Sequence, residues 1–427
     1  MNYSECLAYL QKLGDEVLTM KFGLKTMRTL LGALGNPHLK YPSVLIAGTN
    51  GKGSVACLLN SIFTACGIRN ALYTSPHLIK VEERLVVDNR PIESETFAHY
   101  FARVVDTIGR LKFSSHPTYF ETLTAVAFLY FSEQKVEIAI LEVGMGGRLD
   151  STNVVDPVLS ILTSVGLDHQ RFLGSTLEEI AREKAGILHE ACPALMAPQR
   201  AQVRRVFLSE AAKKKVTLHE LNSASIEYLG STEGKYAFRF HGSKFKLQLY
   251  GQHQVESAAL AVQAVEILRN HGFAVSATCT QKGVERAQWI GRIQVLGEDP
   301  TVVLDGAHNL DAAKKLVNFL TLHTRPPRTL VFGMMRDKDV GAVLEILRPY
   351  FDRIYLTCIN SPRAATIDEL KSLLPSGICV DDPFAAYCQA RSSSATTVVA
   401  GSLYLVGGIL ERKGRAGGLG ELALEAS

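Results

Sequence analysis

The sequence predicts an α/β fold of two domains, and three features support this prediction. Apolar β-rich runs alternate with helical patterns almost throughout the 427-residue chain, which is typical of βαβ units and parallel sheets. A glycine-rich loop follows an early apolar run and opens a helix. A cluster of glycine, acidic and proline residues at 291–300 precedes a second series of strands, so we expect a domain boundary there.

The predicted strands are nearly continuous runs of Val, Ile and Leu, as in strands that helices cover on both faces. They are Ser43–Ala47, Ile138–Glu142, Val158–Ser164, Pro193–Ala197, Thr301–Asp305, Thr329–Phe332, Arg353–Leu356 and Thr397–Ala400. Between Val216 and Leu249 the pattern changes to short alternating strands with charged faces, which indicates an antiparallel hairpin or an edge extension. We expect an N-terminal domain at residues 1–293 and a smaller C-terminal domain at 294–427.

Composition and charge favour an ordinary globular protein. Hydrophobic residues at 47% and charged residues at 21% are usual for that class, and a net charge of +4 gives no reason to expect a nucleic-acid surface. Neither a signal peptide nor a membrane span is indicated, so we expect a cytoplasmic protein without a membrane partner. The eight cysteines are scattered without a C-x-x-C pair. This pattern indicates neither a zinc site nor a disulfide framework, and Cys57 and Cys66 are predicted to be buried thiols.

Residues 48–54 form the clearest motif, a loop with the sequence Gly-Thr-Asn-Gly-Lys-Gly-Ser between a predicted strand and an apolar helix. Its glycines allow backbone N–H groups to approach phosphate oxygens, and the helix N-terminus contributes its positive dipole end. Lys52 is predicted to reach the β- and γ-phosphates, and Ser54 to approach Mg²⁺. The spacing departs from G-x-x-x-x-G-K-[ST], because Gly53 separates the lysine from the hydroxyl residue. We expect ATP or a related nucleotide here.

Polar clusters follow three further predicted strands. Glu142 begins a glycine-rich segment and suits a Mg²⁺ ligand, although a surface residue before an ordinary turn is the alternative. Asp168 and His169 end the next strand, and His169 suits a metal ligand or a general base. Asp305 and His308 lie at a corresponding point in the C-terminal domain. Because ligands of open α/β sheets collect beyond the carboxyl ends of strands, the residues alone predict a Mg-nucleotide enzyme with an interdomain cleft and leave its substrates open.

Two other segments allow a purely structural interpretation. Ser175 and Glu178 form a predicted capping box for a helix over Thr176–Ala185. Lys184 then lies in the last turn, where interaction with the helix dipole would explain it. The segment Phe332–Asp339 repeats the layout of a strand followed by a polar loop, and it is either part of the site or a capped helix start.

Taken together, the motifs resemble those of folylpolyglutamate synthase/dihydrofolate synthase, a member of the Mur ligase superfamily. The segments that carry the resemblance are Gly48–Ser54, Thr74–Leu78, Glu142–Asn153, Asp168–Gln170, Glu183–Ile187, Asp305–Asn309 and Gly401–Tyr404. They occur in the family's order from near residue 20 to near residue 410. The resemblance implies the Mur ligase architecture, in which a P-loop-containing parallel-sheet ATPase domain precedes a smaller Rossmann-like α/β ligase domain. The first domain would bind ATP and pteroate.

The resemblance also implies an ATP-dependent amide ligase. A substrate carboxylate would attack the γ-phosphoryl group of ATP to give an acyl phosphate, and the amine of L-glutamate would then expel phosphate. The carboxylate would belong to dihydropteroate or to the γ-carboxyl group of a folate, and we expect a bifunctional enzyme that uses both. Its partners would be these small molecules, with no nucleic acid and no membrane, and we expect a monomer.

Roles for individual residues follow from their match to the family's motifs. The implied magnesium ligands are Ser75, Glu142 and His169. The implied catalytic residues are Lys52, His169, Lys184 and His308, of which Lys184 matches a lysine that is carbamylated in this family. The implied nucleotide contacts are Asn50, Gly51, Lys52, Gly53, Ser54, Ser257, Arg292 and Asp305. The implied pteroate contacts are Thr118, Tyr119, Phe120, Glu121, Leu149, Asp150 and Ser151.

Two positions depart from the family pattern. Ser257 replaces an asparagine that would touch the nucleotide, so that contact is expected to be lost, weaker or carried by water. Ile290 replaces a proline that would stiffen the approach to Arg292. The positions implied to be catalytic are retained.

Two other functions stay open at this point. Another Mur-type ligase would join an amino acid to a cell-wall precursor, although the segments Ser75–Leu78 and Tyr119–Glu121 favour the folate branch. A nucleotide-binding regulator without activity is the second alternative. Loss of a metal ligand or of Lys184 would have favoured the regulator, and all of these residues are present.

Overall fold

The computed structural model describes residues 1–21, 23–297 and 299–416, and it confirms the predicted α/β fold. Two open sheets, each covered by helices on both faces, are joined by a linker that ends near Arg292. No helix within the described ranges is long and apolar enough to cross a membrane.

The N-terminal sheet has eight strands. They are β1 (Ser43–Ala47), β2 (Asn70–Tyr73), β3 (Leu85–Val87), β4 (Arg90–Pro91), β5 (Ile138–Glu142), β6 (Leu159–Leu162), β7 (Ala194–Met196) and β8 (Leu218–Glu220). Their spatial order is β4-β3-β2-β5-β1-β6-β7-β8. The strands from β2 to β8 in that order are parallel, and β3 and β4 extend one edge as antiparallel strands. The carboxyl ends of β5, β1 and β6 therefore lie side by side.

Helices cover both faces of this sheet. One face carries α1 (Tyr3–Lys12), α2 (Lys25–Ala33), α4 (Ser94–Arg110), α5 (Tyr119–Glu133), α7 (Leu177–Lys184) and α8 (Ala201–Lys213). The other carries α3 (Lys52–Ala65), α9 (His253–Arg269) and α10 (Ala277–Arg286). A short helix, α6 (Gln170–Leu173), follows β6. β1 and β5 are buried along their whole length because both faces are covered, which explains their uninterrupted apolar sequences.

A separate three-stranded sheet lies against α9 and α10. Its strands are β9 (Glu227–Thr232), β10 (Lys235–Phe240) and β11 (Ser243–Tyr250), in the order β11-β10-β9. All pairs are antiparallel. The predicted hairpin is confirmed, and β9 adds a strand that the sequence pattern did not reveal. Alternate residues of β11, among them Phe245 and Leu247, pack into the core while their neighbours face solvent.

The C-terminal sheet has six strands. They are β12 (Gln294–Leu296), β13 (Thr301–Leu304), β14 (Arg328–Phe332), β15 (Arg353–Leu356), β16 (Ile378–Cys379) and β17 (Thr396–Ala400). The order is β12-β13-β17-β14-β15-β16, parallel except for β12. Its helices are α11 (Leu310–His323), α12 (Val340–Leu347), α13 (Ile367–Leu373), α14 (Pro383–Arg391) and α15 (Leu403–Ala416). β12 begins at Gln294, and the boundary between residues 293 and 294 stays a prediction.

The predicted capping box of α7 is wrong by one residue. The cap is Thr176, whose hydroxyl accepts from the Glu179 backbone N–H at 3.2 Å, while the Glu179 carboxylate accepts from the Thr176 N–H at 3.1 Å. Ser175 and Glu178 fit the same sequence pattern, but the extended backbone of Thr176 places the first turn one residue later. Lys184 is nevertheless the last residue of the helix, as expected.

The prediction that the cysteines form no disulfide is wrong for one pair. Cys66, which caps the C-terminal end of α3, is bonded to Cys279 on α10, 213 residues further along the chain. Spacing could not reveal this bond, because tertiary packing of α3 against α10 brings the two cysteines together. Cys57 is a buried thiol, as predicted, and donates to the Gln288 carbonyl at 2.9 Å.

Loss of this disulfide is expected to destabilise the protein. In the oxidised protein, Cys66→Ser should lower the free energy of unfolding by about 2–4 kcal/mol, because a cross-link over a long loop restricts the unfolded chain. Urea unfolding with and without a thiol reductant measures this. The exposed free cysteine Cys379 gives the control variant Cys379→Ser, which should behave like wild type. Equal stability of wild type with and without reductant would contradict the prediction.

Candidate active site

A cleft lies between the carboxyl ends of the N-terminal strands and the C-terminal domain. Most residues predicted to form the site line it. These are Asn50, Gly51, Lys52, Gly53, Ser54, Ser75, Phe120, Glu142, His169, Lys184, Ser257, Arg292, Asp305 and His308. The order of the strands explains their proximity, because parallel strands deliver the residues that follow them to one edge of the sheet.

The glycine-rich loop connects β1 to α3. A side chain at Gly48 would overlap the Thr163 hydroxyl, so only glycine fits there. Gly51 adopts a left-handed conformation (φ 88°) and begins α3 without a side-chain cap, which leaves N–H groups of the first turn for an anion. The unusual Gly53 packs on the indole of Trp289, which a Cβ would approach to 3.0 Å. The departure from the common spacing therefore reflects packing against the linker.

Lys52 and Glu142 face each other at the start of α3 and the end of β5. Lys52 Nζ lies 3.8 Å from Glu142 Oε1, and the Ser75 backbone N–H donates to Glu142 Oε2 at 3.4 Å. Burial raises the pKa of the Glu142 carboxyl, and the charges of Lys52 and Arg292 oppose that shift without cancelling it. A further cation beside Glu142 would therefore be stabilising.

Lys184 is buried at the end of α7, with 4% of its surface exposed. Its Nζ donates to the Gly48 carbonyl at 2.8 Å, so it supports the glycine-rich loop directly. Burial, together with the charge of Lys52, lowers the pKa of Lys184 to about 7. Near neutral pH this side chain is a mixture of amine and ammonium, unlike a lysine that merely complements the helix dipole at the surface.

A polar cluster from both domains lies at the end of β6. Lys338, in the loop before α12, places its Nζ against Asp168 Oδ1 and 3.0 Å from His169 Nε2. His308 Nε2 lies 3.6 Å from Asp168 Oδ2. Burial alone would raise the pKa of Asp168, but the contact with His308 and the charge of Lys338 lower it well below its usual value. Asp168 is therefore a buried anion that links the two domains.

His169 is neutral and strained. Burial lowers its pKa to about 3, so it carries no charge at neutral pH. Its backbone is left-handed (φ 51°), a conformation that a residue with a side chain holds at a cost and that is concentrated at functional sites. Its Nδ1 is buried without a hydrogen-bond partner.

The linker and the C-terminal domain hold the other side of the cleft. The Asp305 carboxylate accepts from the Ile293 N–H at 2.7 Å and from the Ala307 N–H at 2.9 Å. Ile293 is left-handed (φ 46°), which is rare for a β-branched residue, and this bend lies directly after Arg292. Asp305 therefore fixes the point where the linker enters the cleft, in addition to any contact with a nucleotide.

The two domains also meet through a pair of amides. Asn50 Nδ2 donates to Asn309 Oδ1 at 3.3 Å, and Asn309 Nδ2 donates to Asn50 Oδ1 at 3.0 Å. Asn309 is at the same time the N-cap of α11. The loop that is predicted to bind phosphate is thus tied to the start of a C-terminal helix.

The residues implied to hold Mg²⁺ fit a metal with few protein ligands. Within the described ranges no group of three or more His, Cys, Asp and Glu side chains is placed to hold a metal. Ser75, Glu142 and His169 nevertheless line one cleft, with an incompletely neutralised carboxylate and an unpartnered histidine nitrogen. Mg²⁺ commonly takes one or two carboxylates and completes its coordination with water and substrate phosphates. The donor set therefore fits Mg²⁺ bound together with a nucleotide.

Of the residues implied to bind pteroate, only Phe120 lines the cleft, where its ring packs on Gly144. Thr118 and Glu121 form the capping box of α5. Tyr119 lies beneath the guanidinium of Arg84, 5.6 Å from the ring centre. The remaining three, Leu149, Asp150 and Ser151, lie in the loop after β5. There the Asp150 carboxylate accepts hydrogen bonds from the Met145 N–H at 2.9 Å and from the Thr152 N–H and hydroxyl. Their binding roles stay predictions.

Sequence reasoning missed two cationic residues that line the cleft, Lys315 and Arg363. Arg363 Nε donates to Asp15 Oδ2 at 3.1 Å, which ties the C-terminal domain to the N-terminal segment. Lys338 belongs to the segment Phe332–Asp339, which the sequence indicated as either part of the site or a helix start. Both features are present, because Lys338 lines the cleft and Asp339 caps α12. The sequence offered no signal for Lys315 or Arg363.

Comparison with known proteins agrees with this geometry. Two family models match the chain, the Mur ligase middle domain over residues 46–265 and the Mur ligase glutamate ligase domain over 291–408. The dihydrofolate synthase/folylpolyglutamate synthase of Bacillus subtilis (strain 168) is 33% identical over 415 residues, which cover 92% of this chain and 96% of that protein.

Solved structures match over both domains. E. coli FolC in complex with DHPP and ADP aligns with a TM-score of 0.87 and 31% identity, over 97% of this chain and 98% of that one. A bifunctional folylpolyglutamate synthase/dihydrofolate synthase with Mn, AMPPNP and L-glutamate bound aligns with a TM-score of 0.84 and 29% identity, again over 97% and 98%. The resemblance inferred from the motifs is thus confirmed, and the chain belongs to the Mur ligase family, in its folylpolyglutamate synthase/dihydrofolate synthase branch.

Proposed function

We propose that this ATP-dependent ligase joins L-glutamate both to dihydropteroate and to the γ-carboxylate of folates. One observation carries the proposal: residues suited to phosphate, metal and carboxylate chemistry converge on one cleft from both domains. Relatives that match nearly the whole chain carry both activities in their names, and solved relatives hold DHPP with ADP, or Mn with AMPPNP and L-glutamate. We expect it to act as a cytoplasmic monomer.

The first step is attack of the substrate carboxylate on the γ-phosphoryl group, with ADP leaving. Lys52 and the N–H groups at the start of α3 would neutralise the phosphate oxygens and hold them in line, which their position in the cleft supports. When bound, Mg²⁺ would be held by Ser75, Glu142 and His169 and would neutralise charge on the transferred group. Phosphorylation is needed because a carboxylate is a poor electrophile and phosphate is a good leaving group.

In the second step the amine of L-glutamate attacks the acyl carbon and phosphate leaves. The C-terminal domain brings His308 and Lys338 to the same point of the cleft. Both would face the acyl phosphate and the carboxylates of glutamate, and their shared contact with Asp168 supports this assignment. Joining the two domains at this point would also keep water from the acyl phosphate.

Lys184 is proposed to be carbamylated. The lysine ammonium first loses one proton, and the neutral amine then adds to CO₂ and releases a second proton to solvent, so that a cation becomes a carbamate anion. The pKa of Lys184, lowered to about 7 chiefly by burial, supports this, because a lowered pKa increases the fraction of neutral amine near neutral pH. The carbamate would lie beside Lys52, whose charge favours the anion.

The decisive experiment is phosphate release with Mg-ATP and L-glutamate, with dihydropteroate and tetrahydrofolate offered in separate reactions. Release with both is the expected result. Release with dihydropteroate alone would leave a dihydrofolate synthase, and release with tetrahydrofolate alone would leave a polyglutamate extender. If ATP binds but neither acceptor supports release, the chain acts on a cell-wall precursor or regulates without turnover, and the proposal is wrong.

A further inference from the structure

Lys315 is a cation in the cleft that the proposed chemistry does not use. It lies on the second turn of α11 and lines the cleft beside Ala312 and the first turn of α9. The neighbouring Lys314 is exposed on the same helix. A long cationic side chain that is directed into a ligand-sized cleft, while its neighbour faces solvent, indicates a contact with whatever the cleft binds.

The ammonium of Lys315 is incompletely satisfied. Burial lowers its pKa, and the carboxylates of Glu256, Asp311 and Asp305 oppose that shift through their charge. Within the described ranges, however, Lys315 makes no hydrogen bond and no ion pair. Its donors are therefore free to serve a ligand in the cleft.

The position of α9 decides which part of a nucleotide reaches Lys315. The residues that follow β2 and β5, Ser75 and Glu142, flank one side of the glycine-rich loop. α9 lies on the other side, over β6 and β7, with Ser257 Oγ close to Gly51. Phosphates held near Lys52 thus leave the nucleoside to extend past Ser257 towards Glu256 and Lys315.

The charges at this end of the cleft suit hydroxyl groups. Glu256 and Lys315 both line the cleft and act on each other electrostatically. A carboxylate would repel a phosphate, but it accepts a hydrogen bond from a hydroxyl, while an ammonium donates one to it. A pair of opposite charges therefore matches the two hydroxyls of a ribose.

We infer that Lys315 and Glu256 bind the ribose hydroxyls of ATP. This contact binds the nucleoside in addition to Ser257, which replaces the family's asparagine and contacts the nucleoside only weakly. The inference rests on the proposed function to the extent that ATP is the nucleotide in the cleft. It makes Lys315 a residue that sets the enzyme's preference for a ribonucleotide.

The test compares binding of ADP with binding of 2′,3′-dideoxyADP by calorimetry in the presence of Mg²⁺. Wild type should bind ADP about tenfold or more tightly than the dideoxy nucleotide, because a charged donor and acceptor lose their hydroxyl partners. Lys315→Ala and Lys315→Met should weaken ADP binding about tenfold and leave dideoxyADP binding within about threefold of wild type. The matched control Lys314→Ala should retain full discrimination.

Each other outcome is informative. Equal binding of the two nucleotides by wild type, which needs no variant and so no assumption about folding, overturns the inference. So does discrimination that survives in both Lys315 variants with unchanged melting temperatures. Failure of wild type to bind ADP or ATP at all would instead overturn the proposed function.

Discussion

Replacing Lys184 with alanine is expected to lower turnover by about 10²- to 10³-fold, the usual cost of removing a fixed charge from the centre of an active site. Two consequences of the change combine. The glycine-rich loop loses the hydrogen bond from Lys184 to the Gly48 carbonyl, and the site loses the proposed carbamate, which would help to organise the metal. The KM for ATP should rise less than turnover falls, because the loop keeps its contacts with Ser164 and Asn309.

The experiment separates the carbamate from the lysine itself. Lys184→Arg keeps a cation that cannot be carbamylated, so it should be about as inactive as Lys184→Ala. Arg182→Ala, on the exposed side of the same helix, is the matched control and should retain activity. A ¹³C resonance from labelled bicarbonate, present in wild type and absent in both Lys184 variants, would identify the carbamate.

The rate at which Lys184 is carbamylated should depend on pH in a defined direction. Because the pKa of Lys184 is lowered to about 7, the fraction of neutral amine rises as the pH rises from 6 to 8. Activation of enzyme that has first been depleted of CO₂ should therefore be faster at pH 8 than at pH 6 when the concentration of dissolved CO₂ is held equal at the two pH values. Full activity of Lys184→Ala, or of Lys184→Arg, would contradict a carbamate in the mechanism.

The strands that the sequence predicted best are those buried on both faces. β1, β5 and β15 have the predicted bounds, because most residues of a strand that is covered on both faces are apolar. β2 was missed, since Asn70–Tyr73 is only four residues long and begins with an asparagine whose amide is satisfied by Thr64 and Ile68. Local pattern therefore missed a buried strand that lies inside the sheet, between β3 and β5.

The residues of the candidate site also differ in whether the local sequence could predict them. Glu142 and His169 could be predicted because topology alone brings the ends of parallel strands together. The contact of Lys338 with Asp168 joins residues 170 apart in sequence, and it depends on how the second domain faces the first. The disulfide of Cys66 likewise depends on how α10 returns to α3. No local signal contains such information.

Glu142→Gln is expected to lower turnover by about 10²- to 10³-fold at a Mg²⁺ concentration that saturates wild type. The glutamine amide has nearly the same shape as the glutamate carboxylate, so packing at the end of β5 is preserved. The substitution therefore removes only the negative charge. The buried carboxylate keeps a raised pKa even beside Lys52, which shows that a further cation would be accommodated there. Removing the carboxylate should therefore weaken metal binding.

Titration of activity with Mg²⁺ and with Mn²⁺ is the measurement. The metal concentration for half-maximal activity should rise at least about tenfold in Glu142→Gln, the size of effect seen when a group that supports a metal site is lost. Glu137 lies just before β5, at the other end of the same strand, where it is exposed and accepts from the Arg69 N–H at 2.8 Å. Glu137→Gln should leave both turnover and metal dependence unchanged, because chemistry in a parallel sheet is confined to the carboxyl ends of its strands. An unchanged metal requirement in Glu142→Gln would assign this carboxylate to holding Lys52 and remove it from the metal site.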